Sequence, residues 1–148
     1  MEVSGKVNSQ APKQQSWDAI MTVDNWKQII PDVSKLESTG ENRYEMVVKV
    51  EIGPIKGNQT IHIDFSNLNV PNSGDFMLKH AMIKSVKGHL DFKDQADGEV
   101  LTDNAKTVVH YMLDVDAGNP FLNAALDGYK GMMQQGFEEL LRGLLAKA

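Results

Sequence analysis

The run from Asn119 to Lys147 limits the possible folds of this chain more than any other stretch. Leu122, Leu126, Tyr129, Met133, Phe137, Leu140 and Leu144 recur at spacings of four, three, four, four, three and four. At about 100° per residue these side chains fall within an arc of about 80°, the apolar stripe of an amphipathic helix. Asn119 is a suitable N-cap, and Pro120 follows at a position whose N–H a helix leaves unpaired anyway. Asp127, Lys130, Gln134, Glu138 and Arg142 occupy the opposite side and face water. Ala125, Gly136 and Gly143 line one flank of the stripe. A glycine inside a helix costs about 1 kcal/mol relative to alanine. Small residues there serve either close packing against a sheet or the wall of a ligand cavity.

The rest of the chain supplies what must cover the stripe. Met1 to Gln10 alternates weakly, with Val3 and Val7 on one side, and is read as a strand. Ala11-Pro12 opens a short helix with Trp17, Ile20 and Met21, and Asp24 caps a second with Trp26, Ile29 and Ile30, stopped by Pro31. From Val33 the period changes to two. Strands are expected over Val33–Thr39, Arg43–Ile52, Gln59–Leu68, Asp75–Ile83, Lys84–Lys93 and Ala105–Asp116. Short turns join them, so neighbours are antiparallel, without the crossover helices of a parallel sheet. The expected fold is α+β: a seven-stranded antiparallel sheet curled around one long C-terminal helix, with two short helices after the first strand. No linker or internal repeat divides residues 1–148, and a chain of 148 residues is an ordinary single domain.

Composition narrows the function classes. The chain has no cysteine, which excludes disulfides and thiolate chemistry. A net charge of −5 with no basic block argues against nucleic acid as a partner. No apolar run approaches the roughly 18 residues of a membrane span, and the polar N-terminus is no signal peptide, so a cytoplasmic location is expected.

The polar residues with chemical potential are few. His62, His89 and His110 alternate with apolar neighbours and are expected to face solvent. No histidine pair has metal-ligand spacing, so no metal site is expected. His80 shares its face with Phe76, Leu78 and Met82. It is a hydrogen-bonded core residue, the polar contact of a pocket, or a general acid–base. On the core or pocket reading its imidazole is buried, neutral and near a tyrosine hydroxyl. Tyr44, Tyr111 and Tyr129 fall on inward faces. They either satisfy one another's hydroxyls or supply the few oriented polar groups of an apolar pocket. Methionines at Met46, Met77, Met82, Met112, Met132 and Met133 are either plain core or the adaptable lining of a binding surface. No Ser-His-Asp, Cys-His or paired-carboxylate arrangement stands out.

The order of elements resembles the helix-grip arrangement of the START/birch-pollen-allergen (SRPBCC) superfamily. Within it, Val48 to Gly57, ending in Gly53-Pro54-Ile55-Lys56-Gly57, is similar to a strand and turn of the carbon monoxide dehydrogenase G-subunit family. Trp17, the Ile29-Ile30-Pro31 stop and Leu36-Glu37 resemble that family's N-terminal helical pair, and Gly88 and Tyr111 to Val115 its later strands. The resemblance implies a hollow domain that binds a small apolar ligand and, in some operons, assists a carbon monoxide dehydrogenase-type molybdenum hydroxylase. No cofactor is expected. Many members continue into an apolar tail suited to membrane attachment. This sequence stops at Ala148, which counts against tethering. The expected ligand-binding residues are Tyr44, Met46, Phe65, Leu78, His80, Met82, Tyr111, Tyr129, Met133 and Phe137. Two other readings remain: a polyketide cyclase- or hydratase-like enzyme using His80 and a tyrosine, and a protein-interaction module for enzyme assembly.

Overall fold

The computed structural model describes every residue except Gly53, Pro54 and Met82, together with the side chains of Ile52 and Ile55. Strand β1 (Glu2–Ser9) buries Val3 and Val7, as the alternation requires. Helix α1 (Lys13–Met21) follows Pro12 and buries Trp17, Ala19 and Ile20. Helix α2 (Val23–Ile29) starts earlier than its expected cap. Thr22 holds the N-cap position, while Asp24 lies in the first turn, where a carboxylate favours the positive end of the helix dipole. Ile30, next to Pro31, is extended at φ −78° and ψ 119°. This is the conformation that a following proline imposes.

Six further strands form an antiparallel meander: β2 (Val33–Gly40), β3 (Arg43–Ile52), β4 (Ile55–Asn69), β5 (Ser73–Lys79), β6 (Ser85–Lys93) and β7 (Thr107–Asp116). The sheet order is β1-β7-β6-β5-β4-β3-β2. The first strand therefore pairs with the last, with Val3 opposite Leu113 and Val7 opposite Val109, and the N-terminal ammonium donates to Val115 O at 2.8 Å. Helices α1 and α2 carry the chain from this edge to β2 at the other.

Two strand limits differ from the sequence reading. β4 begins at Ile55, opposite Ile52, so Ile55, Lys56 and Gly57 of the expected turn belong to the strand. Its Gly53-Pro54 lies outside the described residues. β5 ends at Lys79, which leaves His80 just beyond the strand.

The C-terminal stripe is divided between two helices, α3 (Pro120–Asp127) and α4 (Lys130–Leu145). Asn119 caps α3 as expected, accepting from Leu122 N at 2.8 Å. The break falls at Gly128-Tyr129, and it lets the stripe serve two surfaces. In α3, Leu122 and Leu126 pack on Val115, Ala117, Ile83 and Val86 at one end of the sheet. In α4, Leu141, Leu144 and Leu145 join the main core with Trp17, Trp26 and Phe92. No helix among the described residues is long and apolar enough to cross a membrane.

The outer face of the sheet is polar. His62 lies on it, and His89 and His110 are on the same side as the strand carboxylates. His89 is held from both ring nitrogens, Nδ1 to Asp75 at 2.5 Å and Nε2 to Asp91 at 3.0 Å, while Asn67 donates to Asp75 at 2.8 Å. The Asp75 hydrogen bond, against some burial and with help from Asp91, raises the His89 pKa above its ordinary 6.5. Hydrogen bonds from Asn67 and His89 lower Asp75 below its ordinary 3.8. A raised histidine pKa stabilises the fold fully below 6.5 and loses that contribution as pH rises through the folded value. A lowered aspartate pKa contributes above 3.8 and is lost as pH falls through its folded value. The thermal midpoint attributable to this cluster should thus peak between about pH 4 and pH 6.5. Thermal melts of wild type and His89→Asn across pH 3 to 9 test this. The difference between them should shrink above the peak.

Candidate functional site

The position of α4 on the sheet creates the site. Its closest backbone neighbour in the sheet is β1, at the edge, and at its C-terminal end it packs on α1 and α2. A polar anchor holds that edge. The Tyr111 hydroxyl, on β7, donates to Glu138 at 2.5 Å, and Arg142 and Gln134 also donate to Glu138 at 3.1 and 3.3 Å. The tyrosine reaches the helix only because β1 carries Gly5, where a Cβ would stand 2.7 Å from the hydroxyl. Burial first, and then Glu138, push the Tyr111 pKa up to about 12, so it stays a neutral donor. The Tyr111 bond leads the causes that lower Glu138.

Away from that edge, side chains alone span the distance from α4 to the concave face, and they do not fill it. Two adjoining spaces result. The outer one has a volume of about 450 Å³. Val50, Val86, Leu113 and Val115 line it from the strands, and Met132, Met133 and Gly136 from the helix. The inner one, about 140 Å³, lies under Ile20 and Trp26 and is walled by Met46, Ile63, Phe65, Phe76, Leu141 and Leu144. Ile61, Leu78, Phe137 and Leu140 line both and stand at the junction.

Among the described residues, the lining of the outer space carries just two polar side chains, Gln59 and His80. They are paired: His80 Nε2 donates to the Gln59 side-chain oxygen. No Lys, Arg, Asp or Glu among the described residues lines either space. Nor do three His, Asp or Glu side chains among them converge as a metal site.

Of the residues expected at the site, Leu78, His80, Met133 and Phe137 line the outer space, and Met46 and Phe65 the inner one. Met82 lies outside the described residues. The three tyrosines are not lining residues. Tyr44 stands against Trp26 at 5.4 Å and Phe65 at 6.2 Å, Tyr111 is committed to Glu138, and Tyr129 sits at the start of α4. Gln59 is absent from the expected set, although it is in phase with Ile61 and Ile63 on β4 and so stands on the inward face.

The glycine flank resolves into both of its readings. At Gly143 a Cβ would meet Ile29 Cγ2 at 2.8 Å, so this glycine lets α4 approach α2. At Gly136 a Cβ would meet nothing within 4 Å, because the residue borders the outer space.

A curled antiparallel sheet closed by a C-terminal helix over an apolar hollow defines a START-like helix-grip domain. The chain belongs to the CoxG family, the G-subunit family of carbon monoxide dehydrogenase, whose model matches residues 5–126. Among solved structures it is similar to a conserved protein from Geobacillus kaustophilus, with a TM-score of 0.80 and 14% identity, covering 99% of this chain and 94% of that one. A START superfamily protein from Mycobacterium smegmatis gives a TM-score of 0.71 and 12% identity over 99% and 95% of the two chains. The di-domain ARO/CYC StfQ from the steffimycin biosynthetic pathway gives 0.69 and 14%, over 98% of this chain and 50% of that one. No curated protein sequence matches the chain.

Single substitutions distinguish wall from core. Gly136→Ala should stabilise by up to about 1 kcal/mol, since helix propensity improves and nothing is displaced. Gly143→Ala should destabilise by about 1 kcal/mol or more, because the Ile29 methyl is on a branched, stiff carbon. Phe137→Ala should cost less than the roughly 3–5 kcal/mol of a fully packed phenylalanine, the ring already facing space on two sides. Urea unfolding measures all three.

Proposed function

We propose that the protein is a cytoplasmic carrier of a small apolar ligand and serves as an accessory to a carbon monoxide dehydrogenase-type molybdenum hydroxylase. The observation that carries this reading is the outer space of about 450 Å³, whose lining among the described residues is apolar except for the paired Gln59 and His80. Ligand sites of this kind combine an apolar lining with a few placed polar groups. Transfer of the ligand from water supplies affinity of about 25 cal/mol per Å² of apolar surface. The Gln59–His80 pair then orients it by hydrogen bonding to a carbonyl or hydroxyl. A charged head would be buried without a counter-charge, which is costly. The ligand is therefore neutral. Leu78, His80, Met133 and Phe137 contact it, with Gln59 added. Tyr44 and Tyr111 act from behind the wall. The family description supports the link to a carbon monoxide dehydrogenase.

A second reading, a cyclase- or hydratase-like enzyme, is favoured by the place of His80 in the cavity lining. It requires a nucleophile or a second acid–base beside that histidine, and the described lining offers Gln59.

Native mass spectrometry of protein purified from its own cells should show a co-purifying neutral lipophilic mass. His80→Phe should keep the fold and weaken retention by roughly five- to tenfold, the worth of one neutral hydrogen bond. Wild type should turn over no polyketide-like substrate. Turnover that disappears in His80→Phe would replace the carrier with the enzyme.

A further inference from the structure

The outer and inner spaces meet through the junction of Ile61, Leu78, Phe137 and Leu140, and Phe137 is the largest of these side chains. Its ring is held on two sides. Tyr111 meets it edge-on at 5.0 Å, and Phe76 stacks at 6.2 Å. Each neighbour is itself supported. Tyr111 is anchored through Glu138, and the Phe76 ring lies over Gly88, where any Cβ would collide with it. A ring supported on two sides stands between the two spaces. On the far side, the described lining of the inner space is largely buried and carries no polar side chain apart from the Trp26 indole N–H, which is already bonded.

We infer that Phe137 sets the length of the ligand: a neutral single-tailed amphiphile, its head at Gln59 and His80, has its tail stopped by this ring before the Trp26-lined inner space. The inference rests on the carrier reading above, but it makes a separate demand. Selection is by tail length, and one residue enforces it. While the tail is still being accommodated, each added methylene should tighten binding about fourfold. Once the tail reaches Phe137, further carbons must stay in water or bend, and the gain should cease.

Trp26 reports on the inner space from within. It lines that space, and its Nε1 is fixed by donation to Ile20 O at 2.6 Å. The other tryptophan, Trp17, lines neither space and packs on Phe92 at 5.2 Å. In a Trp17→Phe background, Trp26 is the sole indole, and a terminal bromine on a probe quenches it only on close approach.

The test titrates straight-chain 1-alkanols of increasing length, plain for calorimetry and ω-brominated for fluorescence, into wild type, Phe137→Leu and Phe137→Ala. Calorimetry is run on proteins that retain both tryptophans, so the affinity comparison does not depend on the Trp17→Phe background folding. In wild type, affinity should rise with length and then level off, and terminal bromine should leave Trp26 emission largely intact. In Phe137→Ala the limit should move several carbons outward, with quenching of Trp26 appearing at the newly accepted lengths. Phe137→Leu, which keeps the site apolar and packed, should fall between. The same length limit in all three proteins, or equal quenching of Trp26 in wild type and variant, overturns the partition and leaves the carrier reading standing. If no alcohol of any length binds wild type, both readings fall together.

Discussion

The hydrogen bond from Tyr111 to Glu138, made across Gly5, pins the C-terminal helix to one edge of the sheet. It ties α4 to the β1–β7 edge with a charge-assisted contact, stronger than a neutral one. A helix laid centrally on the concave face would pack its stripe directly against the strands. Held at one edge, it leaves the strands under its other flank to be reached by side chains alone. The hollow, its apolar lining and the exposure of Met132 and Gly136 beside it all derive from that offset.

Packing is accordingly uneven along the molecule. Near α1, Trp17, Phe92, Val7 and Val109 are tightly buried, and a ring contact of 5.2 Å joins the first two. Toward Met133 and Gly136 the same layer is open. An unfilled apolar space forfeits dispersion contacts that its lining would otherwise make, so the dense end carries the stability of the whole. The structure separates the tasks: one end holds the fold, the other holds room.

Much of this is legible in side-chain periodicity. The seven strands, the two short helices, the Asn119 cap and the stripe itself follow from alternation and capping chemistry within short windows. The features that escape it depend on distance. Nothing near Tyr111 in the sequence indicates that its hydroxyl reaches Glu138, so alternation alone places the tyrosines at the pocket. The glycine flank offers two readings, and only the neighbour at each position, Ile29 for Gly143 and open space for Gly136, separates them. Gln59 is different. Its phase with Ile61 and Ile63 is visible, but a strand that starts at Gln59 makes it look like a turn residue rather than an inward-facing one. The division of the stripe at Gly128-Tyr129 is likewise masked by a spacing that continues unbroken through it.

The pairing of the first strand with the last has a consequence for how the protein is made. β1 leaves the ribosome before the rest of the sheet, yet its partner β7 is synthesised about a hundred residues later, so this contact is among the most non-local a chain of this size can form. The hairpins from β2 to β7 can assemble as they emerge, whereas β1 must wait. Gly5, the seat of the Tyr111–Glu138 anchor, lies on that waiting strand. Until β1 docks, α4 has no edge to be fixed to and the hollow is not closed. The hollow is therefore among the last features of the domain to be completed.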